Sequence, residues 1–399
     1  MPNPAGFAQP GRLEQLLEAP DRAIRVHTWN PESALEDFPD LFANQAHGLA
    51  QRDLKPNGWR LESPVGLRLL DRIRAAGKPL REYAGSRVYR GITTGLNEAF
   101  VVDSATRDKL IGEHKSSAAL LKPFARGRDV ERWVIAPQQQ WLIFTRRGTD
   151  IRHYPAILIY LKQFKTQLMP GVPGGRKSGS YEWFEIQDNI AYWQEFERAK
   201  LVSTKVSIRP TFALDITGCY LGNTSYFIPA GHYGLYILGL LNSRAYEGYA
   251  RRAFVEKQGG WYEVQPDGLE SFPIPPATSA HQFTVEQLVR ALIWLYGQGA
   301  AAVRPTSPRD PLMREHFEQL LNGLVYELFF PAELHARALK FFDLLAQAGP
   351  PRIDSLPASC RMDALREFFE QTYEIRHPLR AALFDLGSLE VVRIIEGKE

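Results

Sequence analysis

The chain has 399 residues, which is long enough for two or three domains with a sizeable core. Its 44% of hydrophobic and 23% of charged residues are ordinary for a globular protein. Two cysteines, Cys219 and Cys360, exclude a disulfide framework and a structural zinc site built from cysteines alone. No apolar run is long enough to span a membrane, and Met1–Pro10 lacks a signal-peptide pattern, so we expect a cytoplasmic protein.

The net charge of +3 is unevenly distributed along the chain. Residues 61–280 hold 29 Lys and Arg against 21 Asp and Glu, a balance of +8. Residues 1–60 hold 6 against 8, and residues 281–399 hold 13 against 16, which gives balances of −2 and −3. A positive middle region suits a polyanionic partner, because neutralising phosphates releases counterions and so favours binding.

The N-terminal 60 residues are loosely patterned and predict a linker or arm. The next segment, residues 64–76, predicts an amphipathic helix, because Leu67, Leu70 and Ile73 recur at three-residue spacing. The segment from Tyr89 to Asp103 predicts a strand, a tight turn and a second strand, a surface hairpin in its simplest interpretation. Arg87 and Arg90 put positive charge beside this turn.

Further strands are predicted at residues 141–147, 201–208 and 224–228, and helices at residues 154–168 and 233–249. Between them, residues 169–181 form a long basic turn-rich loop, which is too rich in glycine and proline for regular structure. From residue 283 onward the pattern is almost entirely helical, with Thr284 and Gln287 as a capping box. We therefore predict an α+β fold, in which a mixed small-sheet domain at 61–280 precedes a helical domain at 281–399.

Several motifs occur in an order that resembles a known family. The motifs are Tyr89-Arg90-Gly91-Ile92-Thr93-Thr94-Gly95, Lys122-Pro123-Phe124-Ala125-Arg126-Gly127-Arg128-Asp129, Ala199-Lys200-Leu201-Val202, Gly222-Asn223-Thr224-Ser225-Tyr226-Phe227, Leu241-Asn242-Ser243, Gly259-Gly260-Trp261-Tyr262 and Phe272-Pro273-Ile274-Pro275. Together they resemble the TaqI-like C-terminal specificity domain, which follows the adenine methyltransferase domain of type IIG restriction–modification enzymes. The resemblance implies a target-recognition domain for double-stranded DNA, with a role in restriction–modification or phage defence.

The catalytic motifs of that family are missing from the sequence. An adenine methyltransferase needs an Asn-Pro-Pro-Tyr-type motif, and neither Asn-Pro-Pro nor Asp-Pro-Pro occurs here. A glycine-rich turn for S-adenosylmethionine is also absent before residue 60. The resemblance therefore implies that S-adenosylmethionine, and Mg²⁺ if there is a nuclease, belong to methyltransferase or nuclease domains of the same or a partner chain. We expect no cofactor and no catalysis in this chain alone.

Two other functions stay open. Asp40, Asp53 and Lys55 match the short Pro-Asp…Asp-x-Lys pattern of Mg²⁺-dependent endonucleases, in which carboxylates bind the metal and the lysine assists the nucleophile. The C-terminal helices could instead form a protein-interaction subunit that docks a methyltransferase. DNA cleavage would favour the nuclease, and a stable complex without DNA binding would favour the interaction subunit.

Sequence-specific readers of DNA place Arg, Lys, Asn or Gln against base edges, use other cations on phosphates, and use aromatic rings for stacking. The loop cations Arg176 and Lys177 are the first candidates, because their loop has no evident structural role. Aromatic residues are more often part of a core than base-stacking groups. The predicted DNA contacts are Arg126, Arg128, Arg146, Arg147, Arg176, Lys177, Tyr181, Lys205, Arg209, Arg251, Arg252, Lys257 and Trp261.

Overall fold

The computed structural model describes residues 23–27, 33–50, 62–136, 139–257, 259–300 and 307–398. The chain divides into two compact units, Met1–Arg72 and Ile73–Glu399. In the first unit, an antiparallel strand pair joins Ala23–Val26 to His47–Ala50, and the helix Phe38–Gln45 lies between them in sequence. Arg25 donates to the carbonyls of Phe42 and Ala43 at 3.0 and 2.9 Å, which fastens that helix to its strand.

The predicted amphipathic helix at residues 64–76 is confirmed as Pro64–Ala75. Leu70 and Ile73 of its apolar face are buried. Beyond this helix the architecture is α+β, as predicted, because several small sheets precede a long run of helices. The strands of the described residues are β1 Ala23–Val26, β2 His47–Ala50, β3 Lys78–Pro79, β4 Tyr89–Arg90, β5 Val101–Asp103, β6 Leu121–Ala125, β7 Gln140–Ile143, β8 Lys200–Thr204, β9 Val206–Ser207, β10 Phe212–Asp215, β11 Tyr220–Leu221, β12 Ser225–Pro229, β13 Val255–Lys257, β14 Trp261–Glu263 and β15 Pro273–Ile274.

Two four-stranded sheets form the centre of the α+β part. One has the antiparallel order β10-β8-β12-β4, and the other has the order β11-β6-β7-β5 with only β11 and β6 parallel. Their shared core includes Phe100, Leu142, Ile157, Phe196 and Tyr220, all of them fully buried. A separate three-stranded sheet, β13-β14-β9, and the pair β15-β3 complete the set.

The hairpin predicted between Tyr89 and Asp103 is wrong. β4 pairs with β12, whereas β5 pairs with β7 in the other four-stranded sheet. Between them lies a short helix, Asn97–Phe100, whose Ala99 and Phe100 are completely buried. Long-range pairing and burial therefore override the local turn chemistry, and this stretch links the two sheets instead of folding back on itself.

The helix predicted at residues 233–249 is two helices, Gly234–Leu241 and Arg244–Ala253, because Asn242 and Ser243 interrupt it. Asn242 exchanges two hydrogen bonds with the backbone of Phe212, with Phe212 N–H donating at 3.1 Å and Asn242 Nδ2 donating at 2.9 Å. Ser243 caps the next helix by accepting from Tyr246 N–H at 3.2 Å. The Leu-Asn-Ser motif is thus a structural junction between helix and sheet.

Helices dominate the second half. The predicted capping box at Thr284 is wrong: the helix starts at Ser279, and the Thr284 hydroxyl donates to the Ala280 carbonyl at 2.9 Å inside it. Together with the helices already named, the described residues of Ile73–Glu399 form the α-helices Leu80–Ala84, Ser104–Glu113, Pro155–Lys162, Lys165–Leu168, Pro266–Glu270, Ser279–Ala300, Asp310–Phe329, Pro331–Ala336, Phe341–Ala348, Ala358–Tyr373, Pro378–Leu386 and Glu390–Ile395.

A partly buried ion pair joins the sheet region to the helices. Arg132 contacts Glu318 of the helix Asp310–Phe329, with Nε to Oε1 at 2.8 Å. Trp133 and Tyr296 also donate to Glu318 Oε1, at 2.8 and 2.9 Å. Burial would raise the pKa of Glu318, but Arg132 and these hydrogen bonds outweigh it and lower the pKa below its usual value.

Candidate nucleic-acid interface

The turn Gly222–Ser225, hereafter the Thr224 turn, joins three distant parts of the sheet region. Ser225 N–H donates to the Gly222 carbonyl at 3.0 Å and closes the turn. Gly91 N–H donates to the Ser225 carbonyl at 2.9 Å, and Lys205 N–H donates to the Thr224 carbonyl at 2.8 Å. The Thr224 hydroxyl accepts from Gly127 N–H at 3.0 Å. Residues near positions 90, 127 and 205 therefore meet at one place.

Two glycines are required by this close approach. A Cβ on Gly91 would lie 2.0 Å from the Gly222 carbonyl oxygen, and a Cβ on Gly127 would lie 2.7 Å from the Thr224 carbonyl oxygen. Neither glycine has a positive φ, so the missing side chain matters for space and not for backbone freedom. Gly91, which lies in the stretch where the sequence predicts a tight turn, is therefore needed for the close approach of two backbones.

Cations surround the Thr224 turn. Arg128 follows Gly127 and leaves 71% of its side chain exposed, with Nε 3.8 Å from Asp129 Oδ1. Asp129 instead caps its own turn, since its Oδ2 accepts from Arg126 N–H at 2.7 Å. Arg126 is partly buried, and Arg90, next to Gly91, is exposed.

A surface of arginines and aromatic rings extends from Arg90. The Arg87 guanidinium lies 5.0 Å from the Tyr89 ring centre, and the Tyr89 ring packs 4.9 Å from that of Tyr192. Tyr192 OH donates to the Arg90 carbonyl at 2.9 Å. The guanidinium carbon of Arg146 lies 5.2 Å from the ring centre of the neighbouring Trp193. We call this set the arginine–aromatic surface; its members are Arg87, Tyr89, Arg90, Arg146, Tyr192 and Trp193.

The three arginines of this surface are exposed and have no carboxylate partner among the described residues. Arg90 donates only to the Thr93 hydroxyl at 3.1 Å, and Arg146 only to the Arg147 carbonyl at 3.4 Å. Their charges are therefore available to an external anion. Of the three, only Arg146 was predicted as a DNA contact. The sequence places Arg87 and Arg90 beside a predicted turn, but their contacts with Tyr89 and Tyr192 depend on the fold.

Two more predicted cations lie on or next to the three-stranded sheet, and both pair with the same carboxylate. Glu263 on β14 lies 2.8 Å from Lys257 Nζ on β13 and 3.0 Å from Lys205 Nζ. Hydrogen bonds from Lys257 and Lys205 lower the pKa of this carboxyl below its usual value. Trp261, predicted as a DNA contact, is 43% exposed on the same sheet.

Arg176 was predicted as a DNA contact because its loop has no evident structural role, and that premise is wrong. Its side chain is only 5% exposed. Nε donates to the Leu168 carbonyl at 3.0 Å, and Nη1 donates to the carbonyls of Thr94 and Glu185 at 3.0 and 2.8 Å. Nη2 donates to the Trp183 carbonyl at 2.9 Å. The guanidinium therefore satisfies a ring of buried carbonyls and closes its own loop.

The neighbours of Arg176 complete this arrangement. The Tyr181 ring lies 4.7 Å from the Arg176 guanidinium and 4.9 Å from that of Arg147. Arg147 donates to the carbonyls of Ile186 and Gln187 at 2.5 and 2.7 Å. Burial lowers the pKa of Arg176. Only Lys177 of this loop pair is exposed, so the predicted pair Arg176-Lys177 divides into one buried and one exposed cation.

The remaining predicted contacts have mixed surroundings. Arg251 pairs with Glu247 at 2.7 Å, one turn earlier on its helix. Arg252 donates to the carbonyls of Gly248 and Ile394 at 3.1 and 3.0 Å, which attaches its helix to the last one. Arg209 is exposed. The structure therefore gives Arg251 and Arg252 intramolecular partners and leaves Arg209 open to solvent.

The nuclease residues are only partly within the described chain. Asp40 is exposed on the helix Phe38–Gln45, whereas Asp53 and Lys55 lie outside the described residues. Within the part of the chain that the structure describes, no group of three or more His, Cys, Asp or Glu side chains could hold a metal ion. Of the helices described, none combines the length and the apolar character needed to cross a membrane.

Known proteins share features with this chain at the level of one domain. Residues 122–274 match the family model of the TaqI-like C-terminal specificity domain, which confirms the resemblance drawn from the motifs. The match includes Arg128, Lys205, the Thr224 turn and Trp261. No curated protein sequence matches the chain. Among solved structures, the chain is similar to the type IIL restriction–modification enzyme MmeI, solved in complex with DNA, with 17% identity and a TM-score of 0.44 over 71% of this chain. The chain covers 35% of MmeI, so it spans about a third of that length.

Proposed function

We propose that this chain recognises a specific sequence in double-stranded DNA and directs a type IIG-like restriction–modification or phage-defence enzyme to it. The observation that carries the proposal is the position of the exposed cations. The Thr224 turn lies inside the matched specificity domain and binds both Gly127, which precedes the exposed Arg128, and Gly91, which follows the exposed Arg90. The guanidiniums of Arg87, Arg90 and Arg146 have no carboxylate partner among the described residues, and such groups supply the phosphate attraction on which DNA affinity depends.

The family resemblance supports the finer part of the proposal. The enzyme served is an adenine-specific methyltransferase, and its catalytic domains lie in another part of a longer chain or in a partner chain. S-adenosylmethionine, and Mg²⁺ for a nuclease, bind there. This division of labour accounts for a sequence that lacks the Asn-Pro-Pro-type motif while it retains the specificity motifs.

The proposal is tested with the full chain and a randomised-site duplex library. Wild-type protein should select a consensus sequence, and affinity for the selected duplex should fall steeply as salt rises from about 50 to 200 mM. Replacing Arg87, Arg90 and Arg146 together by alanine should weaken binding on every duplex. The slope of log K against log salt should become shallower by about 3, one for each phosphate that the variant no longer neutralises.

A matched control removes three exposed cations from the helical part, Arg337, Lys340 and Arg376. This variant loses the same net charge and should keep nearly all of the salt slope. If both triple variants change the slope equally, only net charge matters and the proposed surface is wrong. If the wild-type chain selects no sequence and its weak binding ignores salt, the proposed function itself fails.

A further inference from the structure

The hairpin formed by β13 and β14 presents an unusual outer face. Trp261 and Glu263 point to one side of the sheet, and Tyr262 between them points to the other side and is buried. Tyr262 is paired with Ser207 of β9, which is also buried. On the outer side, Val206 and Trp261 are 37% and 43% exposed, and Ile208, just after β9, is 48% exposed. The dipeptide Trp261-Tyr262 therefore gives one ring to the core and the other to solvent.

Two glycines precede the indole at the end of this hairpin. Gly259 and Gly260 have φ values of 80° and 74°, which are left-handed and favour glycine. Neither residue has a side chain that could cover Trp261, and a Cβ on Gly259 would lie 3.5 Å from its Cδ1. No residue of the described chain accepts a hydrogen bond from Trp261 Nε1.

The strand that carries Trp261 is joined to the Thr224 turn through Lys205. Val264 N–H donates to the Lys205 carbonyl at 2.9 Å, and Lys205 N–H donates to the Thr224 carbonyl at 2.8 Å. Two backbone hydrogen bonds therefore connect the strand of Trp261 to the Thr224 turn. On the outer face, Lys257 lies directly opposite Trp261 in the strand register. Glu263, on the same face, pairs with both Lys257 and Lys205, so two cations share one carboxylate beside the indole. A net positive charge next to an exposed ring suits a partner that is negatively charged and able to stack.

We propose that Trp261 is an apolar wedge that inserts between adjacent base pairs of double-stranded DNA and unstacks them. The inference rests on the proposed function and specifies how the bound DNA is deformed. Large apolar side chains on β-structure insert into base steps in this way, and neighbouring cations hold the backbone of the kinked duplex. The indole offers the largest stacking area of any side chain, and Trp261 is 43% exposed.

The experiment uses the duplex recovered by randomised-site selection on the wild-type chain, with 2-aminopurine replacing each adenine of either strand in turn and flanking every base step that has an A·T pair. Binding of the wild-type protein should raise 2-aminopurine fluorescence at one step, where stacking is broken. Trp261→Ala should abolish this rise and lower the affinity about 5- to 150-fold, the loss expected for one stacked base. Trp261→Phe should retain part of both, because phenylalanine is a smaller wedge.

Phe384→Ala is the matched control, since Phe384 is an exposed aromatic residue of the helical part, 84% exposed, and should change neither readout. Far-UV circular dichroism confirms that each variant is folded. The proposal is overturned if Trp261→Ala binds the selected duplex as tightly as wild type. It is also overturned if affinity falls but wild-type protein raises 2-aminopurine fluorescence at no step. In either case the selected consensus and the salt dependence are unaffected. The wedge proposal is then rejected, and the proposed function is retained. If the selection recovers no preferred duplex, both the wedge proposal and the proposed function are rejected.

Discussion

The loop at residues 169–181 and the Thr224 turn both contain glycine and both lie close to arginines. In the loop, Arg176 turns inward and binds four backbone carbonyls at 3.0 Å or less. At the turn, the backbone groups bind one another, and Arg90 and Arg128 remain exposed. An arginine therefore has a structural role where buried carbonyls need its N–H donors. It remains available for ligands where the backbone N–H and C=O groups are already hydrogen-bonded to one another.

The largest effect is expected from Arg176. Arg176→Ala removes the side-chain donor from four carbonyls, of which that of Thr94 keeps the Gln187 N–H at 3.1 Å. Each buried carbonyl left unsatisfied costs about 1–3 kcal/mol. We expect the free energy of unfolding to fall by more than about 3 kcal/mol in urea titrations, with no change in the selected DNA sequence. Arg176→Lys should lose most of the same stability, because an ammonium group lacks the planar fork that reaches all four.

The exposed neighbour is the control for that experiment. Lys177→Ala should change the free energy of unfolding by less than about 0.5 kcal/mol, as exposed substitutions usually do. Suppose instead that Arg176→Ala unfolds at the same urea concentration as wild type but relaxes the selected DNA sequence. Arg176 then contacts a base, and the structural role assigned to it in the loop is wrong.

The rigidity of the Thr224 turn depends on Gly91. Gly91→Ala places a methyl group 2.0 Å from the Gly222 carbonyl oxygen, and neither partner is a flexible side chain. We expect a loss of about 1–3 kcal/mol in the free energy of unfolding, as for other overpacked sites. Gly112→Ala, at an open helical position, should instead be neutral or slightly stabilising. Equal stability of the two variants would show that the turn adapts easily.

The sequence predicted the α+β class, the loop and several elements, because hydrophobic periodicity and glycine or proline punctuation are local signals. Prediction failed where the outcome depends on distant partners. β4 and β5 have strand chemistry, but only the tertiary fold decides that they pair with β12 and β7. Arg176 and Arg128 both follow a glycine in the sequence, and the carbonyls that distinguish them come from residues as distant as Thr94. No local pattern could have shown that Arg90 contacts Tyr192 while Arg146 packs on the neighbouring Trp193.

Arg128 provides the direct counterpart to Arg176 at the turn. Arg128→Ala should leave the free energy of unfolding within about 0.5 kcal/mol of wild type, because the side chain is mostly solvated. DNA affinity should fall, and the salt slope should become shallower by about 1 if the contact is a phosphate. If Arg128 reads a guanine edge, the loss should be confined to the selected sequence and one position should lose its preference. Unchanged affinity on all duplexes would remove Arg128 from the interface.

The smallest effect concerns Glu263, which pairs with both Lys205 and Lys257 next to the Thr224 turn. Glu263→Gln removes a negative charge that repels phosphate and frees two cations. Affinity for unrelated duplexes should therefore rise about two- to fivefold, and the salt slope should steepen by up to about 2. Because phosphates carry no sequence information, the preference for the selected site over random DNA should fall. Glu370→Gln, which breaks a comparable surface pair with Arg309, is the control and should leave both affinities unchanged. Weaker binding by Glu263→Gln would mean that the carboxylate contacts a base, for which the amino group of cytosine is the partner a glutamate prefers.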